Sequence, residues 1–600
     1  MKLSSAVFAA WLTAVGFALV RGSHSPAHTT RDGGGSKYVT VNNGKFTLDG
    51  KPFQYIGTSA YWLQLIDNDD DMYKTLHEIA SLGVKVVRTW AFNDVSEIPS
   101  EGVWLRVFHS NGTIEINTGE NGILRLDRIV RVAKQVGIHI LFTLTNNWFP
   151  NVSNNGTTAK DLDGRNLPRN YLSNDYGGMD TYVKHFSPNS QVKDLSHDIF
   201  YTDNKMIDSF KSYAATIVKR YSTEPSVLGW EIANDPRCSS TLPSSRLCKT
   251  QTLTKWTANI AQTVKQNDPN HLVATGDAGF YCVECPRVFP RPPPSTPQPS
   301  PLPPSQPNNR RRSQPDSRQP VQYNNNVPSQ PNSQPPTPCV EKRKGPLTKK
   351  ALAARCLEWK KRNFPSQDAQ RRAPQGPSIR GRWKAPETSL TKRQSNGFGP
   401  LYDGSYGVDT EDLVNAPNVD FSSFQFFPDQ NTYGPLTVGN AIDFNQVVQA
   451  GIDWIEQHAA TANTYNKPTT LNGFGLVTSQ SANTFAPFNA SVPQSSPIGT
   501  TQAQQVSAYN TWITSAVKSG VQGIIQYQWG QGNITSSSSS AITHQSGVGT
   551  TNSTTTSFYS PNDGYAAYDS AVKNTLAAGA KLIASQNGSG SNQARGYNEL

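Results

Sequence analysis

Eight short apolar segments, separated by longer amphipathic ones, constrain the fold of this chain more than any other feature. Each short segment has the length of a buried strand, and apolar residues at helical spacing lie between several of them. The strand candidates are Gln54–Thr58, Val84–Thr89, His139–Thr145, Val227–Ala233, His271–Thr275, Val419–Phe427, Thr469–Phe474 and Gly523–Trp529. The helix candidates are Asp198–Arg220, Thr252–Gln266, Phe444–Ala459 and Gln502–Ser519. Because strands that alternate with helices form parallel sheets and eight of them close a ring, the sequence predicts an α/β protein with a (β/α)8, or TIM, barrel.

The composition changes abruptly between Arg287 and Ser395, after the fifth strand. This stretch holds 22 of the 42 prolines and 22 Lys and Arg against 5 Asp and Glu, an excess of +17. The whole chain carries +11, so the remainder carries −6, and no nucleic-acid partner is expected for the barrel. Since such a segment cannot bury a core, we predict a disordered, basic, proline-rich insertion over 287–395. A polyanion- or wall-binding arm, a solvated insertion and a translated non-coding stretch are all compatible with it.

The remaining boundaries follow from the chain ends. Lys2, the apolar run Ala6–Val20 and the polar residues after it are typical of a signal peptide, so we assign residues 1–22 to that peptide and 23–36 to a linker, with an uncleaved anchor as the alternative. The barrel then comprises 37–286 and 396–586, followed by a tail over 587–600. No later segment is apolar enough to span a bilayer, and we expect a monomer that does not contact a membrane after signal cleavage.

Two further patterns favour secretion to the extracellular space. The pairs Cys238/Cys248 and Cys282/Cys285 are close enough in sequence to form disulfides, and neither pair has enough ligands nearby for a zinc site. We therefore expect no metal and no cofactor. Asn-x-Ser/Thr glycosylation acceptors occur at Asn111, Asn151, Asn155, Asn489, Asn533, Asn552 and Asn587.

Polar and aromatic residues follow the predicted strands at the carboxyl ends, where barrels of this type carry their chemistry. Aromatic rings stack on the apolar face of a pyranose, while amides and guanidinium groups bond its hydroxyls. The sequence therefore predicts a carbohydrate site. Its candidate substrate-binding residues are Arg88, Trp90, Asn146, Asn234, Gln425, Phe427, Tyr527 and Trp529.

Several motifs at these positions resemble one known family. They are GTSAYWL from Gly57, VVRTWAFND from Val86, TNNWF from Thr145, DYGGMDTYV from Asp175, HDIFYTD from His197, GWEIANDPRC from Gly229, DPNHLVATGDAGF from Asp268 and IQYQWG from Ile525. In this order they resemble fungal endo-β-1,4-mannanases of glycoside hydrolase family 5. The resemblance covers roughly Lys37 to Gln586 outside the insertion. It implies a (β/α)8 barrel and a retaining mechanism on β-mannan.

Two catalytic positions depart from the family pattern. Retention requires a pair of carboxylates about 5–5.5 Å apart, one acting as acid/base and the other as nucleophile. The family's acid/base Glu corresponds to Asp235, whose side chain is shorter by one methylene, about 1.5 Å. The family's nucleophile Glu corresponds to Gly473, which has no side chain, and Asn472 stands where the family has a second Glu. We expect an open space at Gly473 that an external formate or azide could enter.

Positions near the catalytic pair also lack polar groups that the family has. Where the family has His-Leu-Tyr-Pro, this chain has Gln425-Phe426-Phe427-Pro428, and Tyr527 replaces a Trp. By contrast, the family's residues are kept at Arg88, Trp90, Asn146, Asn234 and Trp529.

Three hypotheses about function follow. The leading one is a secreted mannanase-like protein with lost or strongly reduced hydrolysis that still binds β-mannan or a related polysaccharide. The second is an active glycosidase in which Asp235 works with a recruited carboxylate such as Asp277, an inverting arrangement if a water fits between them. The third is an interaction protein that acts through the basic, proline-rich arm.

Overall fold

The computed structural model describes the barrel and leaves several connecting segments out. The described residues are 36–149, 168–188, 190, 194–291, 400–431, 433, 443–482, 485, 500–535 and 558–593. They belong to one compact unit. The predicted signal peptide, nearly all of the linker, residues 292–395 of the predicted insertion and the last residues of the tail lie outside the described residues.

Eight parallel strands form the central barrel and confirm the predicted fold class. We number them β1 to β8, and they lie at Tyr55–Ser59, Val86–Trp90, His139–Thr143, Val227–Glu231, Leu272–Ala274, Ser422–Phe426, Thr469–Phe474 and Gly523–Tyr527. Their order in the sheet is β5-β4-β3-β2-β1-β8-β7-β6. A parallel bridge between Ala274 and Phe421 joins the two outer strands, so the ring closes.

Helices alternate with the strands, as the sequence predicts. They are α1 Asp69–Ser81, α2 Leu124–Val136, α3 Met179–Phe186, α4 Asn204–Tyr221, α5 Thr250–Asn267, α6 Thr410–Val414, α7 Phe444–Tyr465, α8 Gln502–Ser519 and α9 Ser570–Gln593. The predicted helix Asp198–Arg220 begins later than expected. Its first part is a 3-10 turn, His197–Tyr201, and α4 starts only after Asp203, whose carboxylate accepts hydrogen bonds from the backbone N–H groups of Lys205 and Met206.

A three-stranded antiparallel sheet at Thr40–Asn42, Lys45–Leu48 and Lys51–Pro52 packs against the amino-terminal end of the barrel. Phe46 from this sheet contacts Phe421 inside the barrel, with ring centroids 5.1 Å apart. Around it lies an inner apolar cluster that includes Tyr55, Val86, Leu141 and Ile525. Because side chains alternate along a strand, residues two and four positions further on point into the same interior at the carboxyl end.

The chain leaves and re-enters the barrel at two segments that are bonded to each other. The backbone N–H of Tyr281 donates to the carbonyl of Leu401, and that of Val283 donates to Tyr402. Arg287, which the sequence assigns to the insertion, instead forms ion pairs with Asp409 and Glu411. The folded barrel therefore extends a few residues further than the predicted boundary, to about residue 291.

Both predicted cysteine pairs form disulfides, Cys238–Cys248 and Cys282–Cys285. Among the helices of the described part of the chain, none is long and apolar enough to cross a membrane.

Candidate active site

Four of the predicted sugar-binding residues form one hydrogen-bonded group at the carboxyl ends of β2, β3, β4 and β6. Asn234 is at its centre. Its Oδ1 accepts from Arg88 Nη2 at 2.8 Å and from Gln425 Nε2 at 3.2 Å. Its Nδ2 donates to Asn146 Oδ1 at 2.9 Å. The structure thus brings together side chains that are up to 337 positions apart in the sequence.

A carboxylate that the sequence analysis missed lies directly beneath this group. Glu231 is fully buried at the end of β4 and is held in a two-pronged ion pair by Arg88. Its remaining acceptor capacity is used by Thr143 Oγ1 at 3.0 Å and Asn472 Nδ2 at 2.6 Å. A single charged residue inside the apolar run of β4 was the sequence signal for it. Since Arg88, Thr143 and Asn472 all donate hydrogen bonds to this carboxylate, Glu231 is held in place by the barrel interior.

Asp235, at the acid/base position, is also fully buried. Its Oδ1 accepts from Arg237 Nε at 2.9 Å and its Oδ2 accepts from Trp148 Nε1 at 2.9 Å, while Arg237 Nη2 lies 2.8 Å from Oδ2 in an ion pair. The guanidinium of Arg237 lies between the rings of Trp148, Phe280 and Tyr406, with centroids 4.7–5.1 Å away. Both oxygens therefore accept hydrogen bonds from N–H donors of buried side chains.

Gly473, at the nucleophile position, lies in β7 beside Phe427. A Cβ atom built on Gly473 would be 3.0 Å from Cζ and 3.2 Å from Cε2 of Phe427. A side chain at this position would therefore meet the Phe427 ring at its first carbon, so the space expected to be open is partly filled. The nearest polar neighbour in the chain, Asn472, bonds to Glu231 and to Thr470 Oγ1 instead of facing this space.

The three predicted aromatic residues other than Phe427 occupy different places. The indole of Trp90 donates to the carbonyl of Ser173 and lies under Arg88, 4.9 Å from its guanidinium carbon. Tyr527 packs edge-on against Phe427, with centroids 5.5 Å apart. Trp529 lies against α9, where Lys573 Nζ is 4.2 Å from its ring, and its indole donates to Gln531. Trp529 thus contacts α9 and the segment that follows β8.

Two further buried carboxyls lie near the carboxyl ends of the strands. Burial raises the pKa of Asp277, after β5, to about 7, although it accepts from Thr275 Oγ1 at 2.5 Å and from the Gly279 N–H at 3.0 Å. Burial likewise raises the pKa of Asp563 to about 6, and this carboxyl accepts from Tyr527 Oη at 2.6 Å and from Ser173 Oγ at 2.9 Å. Asp277 is the residue that the sequence analysis offers as a possible partner of Asp235. With this pKa, its carboxyl takes up a proton near neutral pH.

The eight predicted sugar-binding side chains are all deeply buried, with exposed fractions between 0% for Trp529 and 7% for Asn234. Within the described ranges, no group of three or more His, Cys, Asp or Glu side chains is placed to hold a metal ion. The arrangement is a (β/α)8 barrel with amides, a guanidinium and aromatic rings at the carboxyl ends of its strands, where barrels of this type carry their active sites.

Comparison with known proteins shows which family the first part of the barrel resembles. Residues 36–291 match the family described as GH family 5 beta-mannosidase-like. Mannan endo-1,4-beta-mannosidase F of Aspergillus fumigatus is 35% identical over 249 residues, which cover 41% of this chain and 48% of that protein. Mannan endo-1,4-beta-mannosidase A of Aspergillus aculeatus is 32% identical over 281 residues, covering 47% of this chain and 63% of that protein. Over residues 36–291 the chain is therefore similar to glycoside hydrolase family 5 mannosidase-like proteins, which confirms the resemblance seen in its motifs.

Solved structures show the same fold. The endo-1,4-beta-mannanase from Rhizomucor miehei superposes with a TM-score of 0.52 at 22% identity, covering 91% of this chain and 99% of that one. A family 5 mannosidase from the same organism gives a TM-score of 0.50 at 13% identity, covering 92% of this chain and 100% of that one. In sequence, however, the chain spans about half to two thirds of the length of the two Aspergillus relatives.

Proposed function

We propose that this protein is a secreted, monomeric, mannanase-like member of glycoside hydrolase family 5 that has lost or strongly reduced hydrolysis and binds β-mannan or a related polysaccharide. The names of its fungal relatives support mannan as the polysaccharide. The disulfides support an oxidising, extracellular location. The predicted glycosylation acceptors agree with that location.

One observation carries the loss of hydrolysis. At the nucleophile position, Gly473 offers no carboxylate, and the adjacent space is partly filled by the Phe427 ring. Removing a covalent catalyst costs several powers of ten in rate, each equal to about 1.4 kcal/mol of barrier. Asp235, at the acid/base position, is paired with Arg237 and Trp148, and we infer that this pairing hinders proton donation to a leaving group.

The test compares the full-length protein with its Asp235→Asn variant on soluble β-mannan and mannohexaose. We expect both proteins to release reducing ends no faster than a heat-inactivated sample, because neither catalytic position is equipped for the reaction. A native rate comparable to that of an active fungal β-mannanase assayed in parallel, abolished by Asp235→Asn, would contradict the proposal.

Binding is tested separately by affinity electrophoresis in gels that contain soluble mannan. We expect the native protein to be retarded relative to a gel without polysaccharide, since Asn146, Asn234 and Arg88 are kept as in the family. Equal mobility in both gels at high mannan concentration would refute the binding part alone.

A second candidate function is supported by the raised pKa of Asp277. A carboxyl that is protonated near pH 7 is a suitable general acid, so an altered glycosidase with Asp277 as a recruited carboxylate is the alternative. An inverted anomer as the first product, lost in Asp277→Asn, would favour this alternative over the proposal above. The third hypothesis, an interaction role for the basic arm, concerns residues outside the described ranges and is tested by the deletion discussed below.

A further inference from the structure

The segment that follows β8 presents one of the predicted glycosylation acceptors at the protein surface. Asn533 begins the triplet Asn-Ile-Thr, and both Asn533 and Thr535 are exposed. The backbone of Asn533 lies in the left-handed region, with a φ of 54°, which Asn tolerates and which is common in turns. An oligosaccharide is bulky and hydrophilic, so an exposed turn of this kind can carry one without disturbing the fold.

Contacts on both sides of this triplet fix it against α1. Lys74 Nζ donates to the carbonyl of Asn533 at 2.8 Å. Asp71 Oδ2 accepts from the backbone N–H and from the hydroxyl of Thr535, both at 2.9 Å. Between them, the side chain of Ile534 is buried, with an exposed fraction of 1%. The side chain of Asn533 therefore leaves the protein surface beside the first turns of α1.

The adjoining surface of α1 carries an aromatic pair. Tyr73 and His77 are one helical turn apart, and their rings stack with centroids 5.4 Å apart and planes 19° from parallel. Because His77 also lies one turn after Lys74, the pair is next to the point where Asn533 is held. With 47% of its surface exposed, Tyr73 is the most exposed Trp, Tyr or Phe of the described residues. Such a ring offers a stacking surface to the apolar face of a sugar.

We propose that Asn533 carries an N-linked oligosaccharide whose first sugars pack on Tyr73 and His77. The side-chain Nδ2 of Asn533 forms a bond to the anomeric carbon of the sugar, the bond from that carbon to a polyprenyl diphosphate breaks, and the amide loses one proton. The lipid-linked oligosaccharide is the co-reactant, and the secretory pathway supplies it. The inference therefore rests on the secretion that is part of the proposed function.

The first experiment tests the modification itself. The full chain is produced in a secreting yeast behind the host's own signal peptide, and proteolytic peptides of the secreted protein are analysed by mass spectrometry. We expect the peptide that contains Asn533 to carry N-acetylhexosamine and hexose, and treatment with peptide N-glycosidase to convert Asn533 into Asp. Thr535→Ser keeps the acceptor triplet and should keep the glycan, whereas Thr535→Val should lose it.

An unmodified Asn533 in the secreted protein would overturn the inference. A parallel culture of the chain with its own residues 1–22, and no added signal, tests native secretion alone. If that chain stays inside the cell while the first culture yields glycosylated protein, the proposed function fails and the acceptor assignment stands. The two failures are therefore distinguishable.

A double-mutant cycle on the secreted protein tests the contact between the glycan and the aromatic pair. Tyr73→Ala should lower the melting temperature of the glycosylated protein by about 2 °C, because a stacking surface is lost. In the Asn533→Gln background, which has no glycan at this position, the same change should have a much smaller effect. Any cost of Asn533→Gln itself cancels in the cycle.

The control is Ile98→Ala, which removes an exposed side chain from the segment after β2 and should have the same effect in both backgrounds. Equal effects of Tyr73→Ala with and without the glycan would show that the sugars do not pack on this ring and would overturn that part of the inference.

Discussion

Glu231 is an acidic residue that Arg88 and Asn472 hold inside the barrel. Arg88 Nε donates to Glu231 Oε2 at 3.0 Å, and Asn472 donates to the same carboxylate. Asn472 stands where the family has a second Glu. Its side-chain N–H donates to the Glu231 carboxylate, whereas an ionised Glu could not donate. The polar network therefore remains fully bonded, which explains how the barrel tolerates the loss of an acidic residue.

We predict that Glu231→Gln destabilises the protein by about 3–5 kcal/mol, because it leaves the buried Arg88 guanidinium without its counter-charge. The free energy of unfolding in urea measures this effect. Glu115→Gln is the control, since Glu115 pairs with His109 at the surface with 61% of its side chain exposed. That change should cost less than about 0.5 kcal/mol. A cost of similar size in the two variants would show that Glu231 is not an essential partner of Arg88.

At the scale of elements, the segments that follow β6 and β7 are joined by one buried carboxyl. Asp429 Oδ2 accepts from the backbone N–H of Val477 at 3.0 Å. Burial raises the pKa of Asp429 to about 8 from a usual value of 3.8. This group therefore contributes stability that is fully present below about pH 4 and is lost as the pH rises through 8.

We expect Asp429→Asn to remove that pH dependence. An amide oxygen can still accept from Val477, but it cannot become charged inside the protein. The melting temperature of the variant relative to the native chain should therefore rise by several degrees between pH 5 and pH 9. Thermal unfolding followed by circular dichroism across this range tests the point, with the exposed Asp453→Asn as control. A difference that stays constant with pH would mean that Asp429 does not titrate in this range.

At the scale of the whole molecule, the barrel is continuous across the point where the basic segment is inserted. Tyr281 and Val283 bond to Leu401 and Tyr402, and Arg287 pairs with Asp409. The Val288 and Phe289 N–H groups donate to the two oxygens of Asp412 at 2.9 and 2.7 Å. These contacts join both sides of the barrel without any residue between 292 and 399.

Replacing residues 292–399 by a flexible linker of about ten Gly and Ser residues should therefore leave the melting temperature within about 2 °C of the native value. If the basic segment mediates polyanion binding, the deletion should also abolish retention on heparin at low salt, where charge interactions are least screened. Retention that is unchanged would dismiss the interaction hypothesis. A large loss of thermal stability would instead show that the inserted segment is part of the folded barrel.

The sequence by itself determined the eight strands, the four helices named as candidates and both cysteine pairs. These features depend on local patterns, namely the spacing of apolar residues, short motifs and residue identity, which can be read along the chain. The predicted helix boundaries were less accurate, because a single capping side chain can shift the residue at which a helix begins. Asp203 caps α4 and so ends the predicted helix Asp198–Arg220 on its amino-terminal side.

Only the tertiary structure decided how the site residues are used. Glu231 meets Asn472 across 241 positions of sequence, Arg237 turns back onto Asp235, and the ring of Phe427 enters the space beside Gly473. Trp529 keeps the family's residue but lies against α9. Closure of the barrel brings distant residues together, and only then are their hydrogen-bond partners and packing contacts decided. A local sequence pattern therefore cannot predict which side chain packs beside a glycine that is distant in sequence.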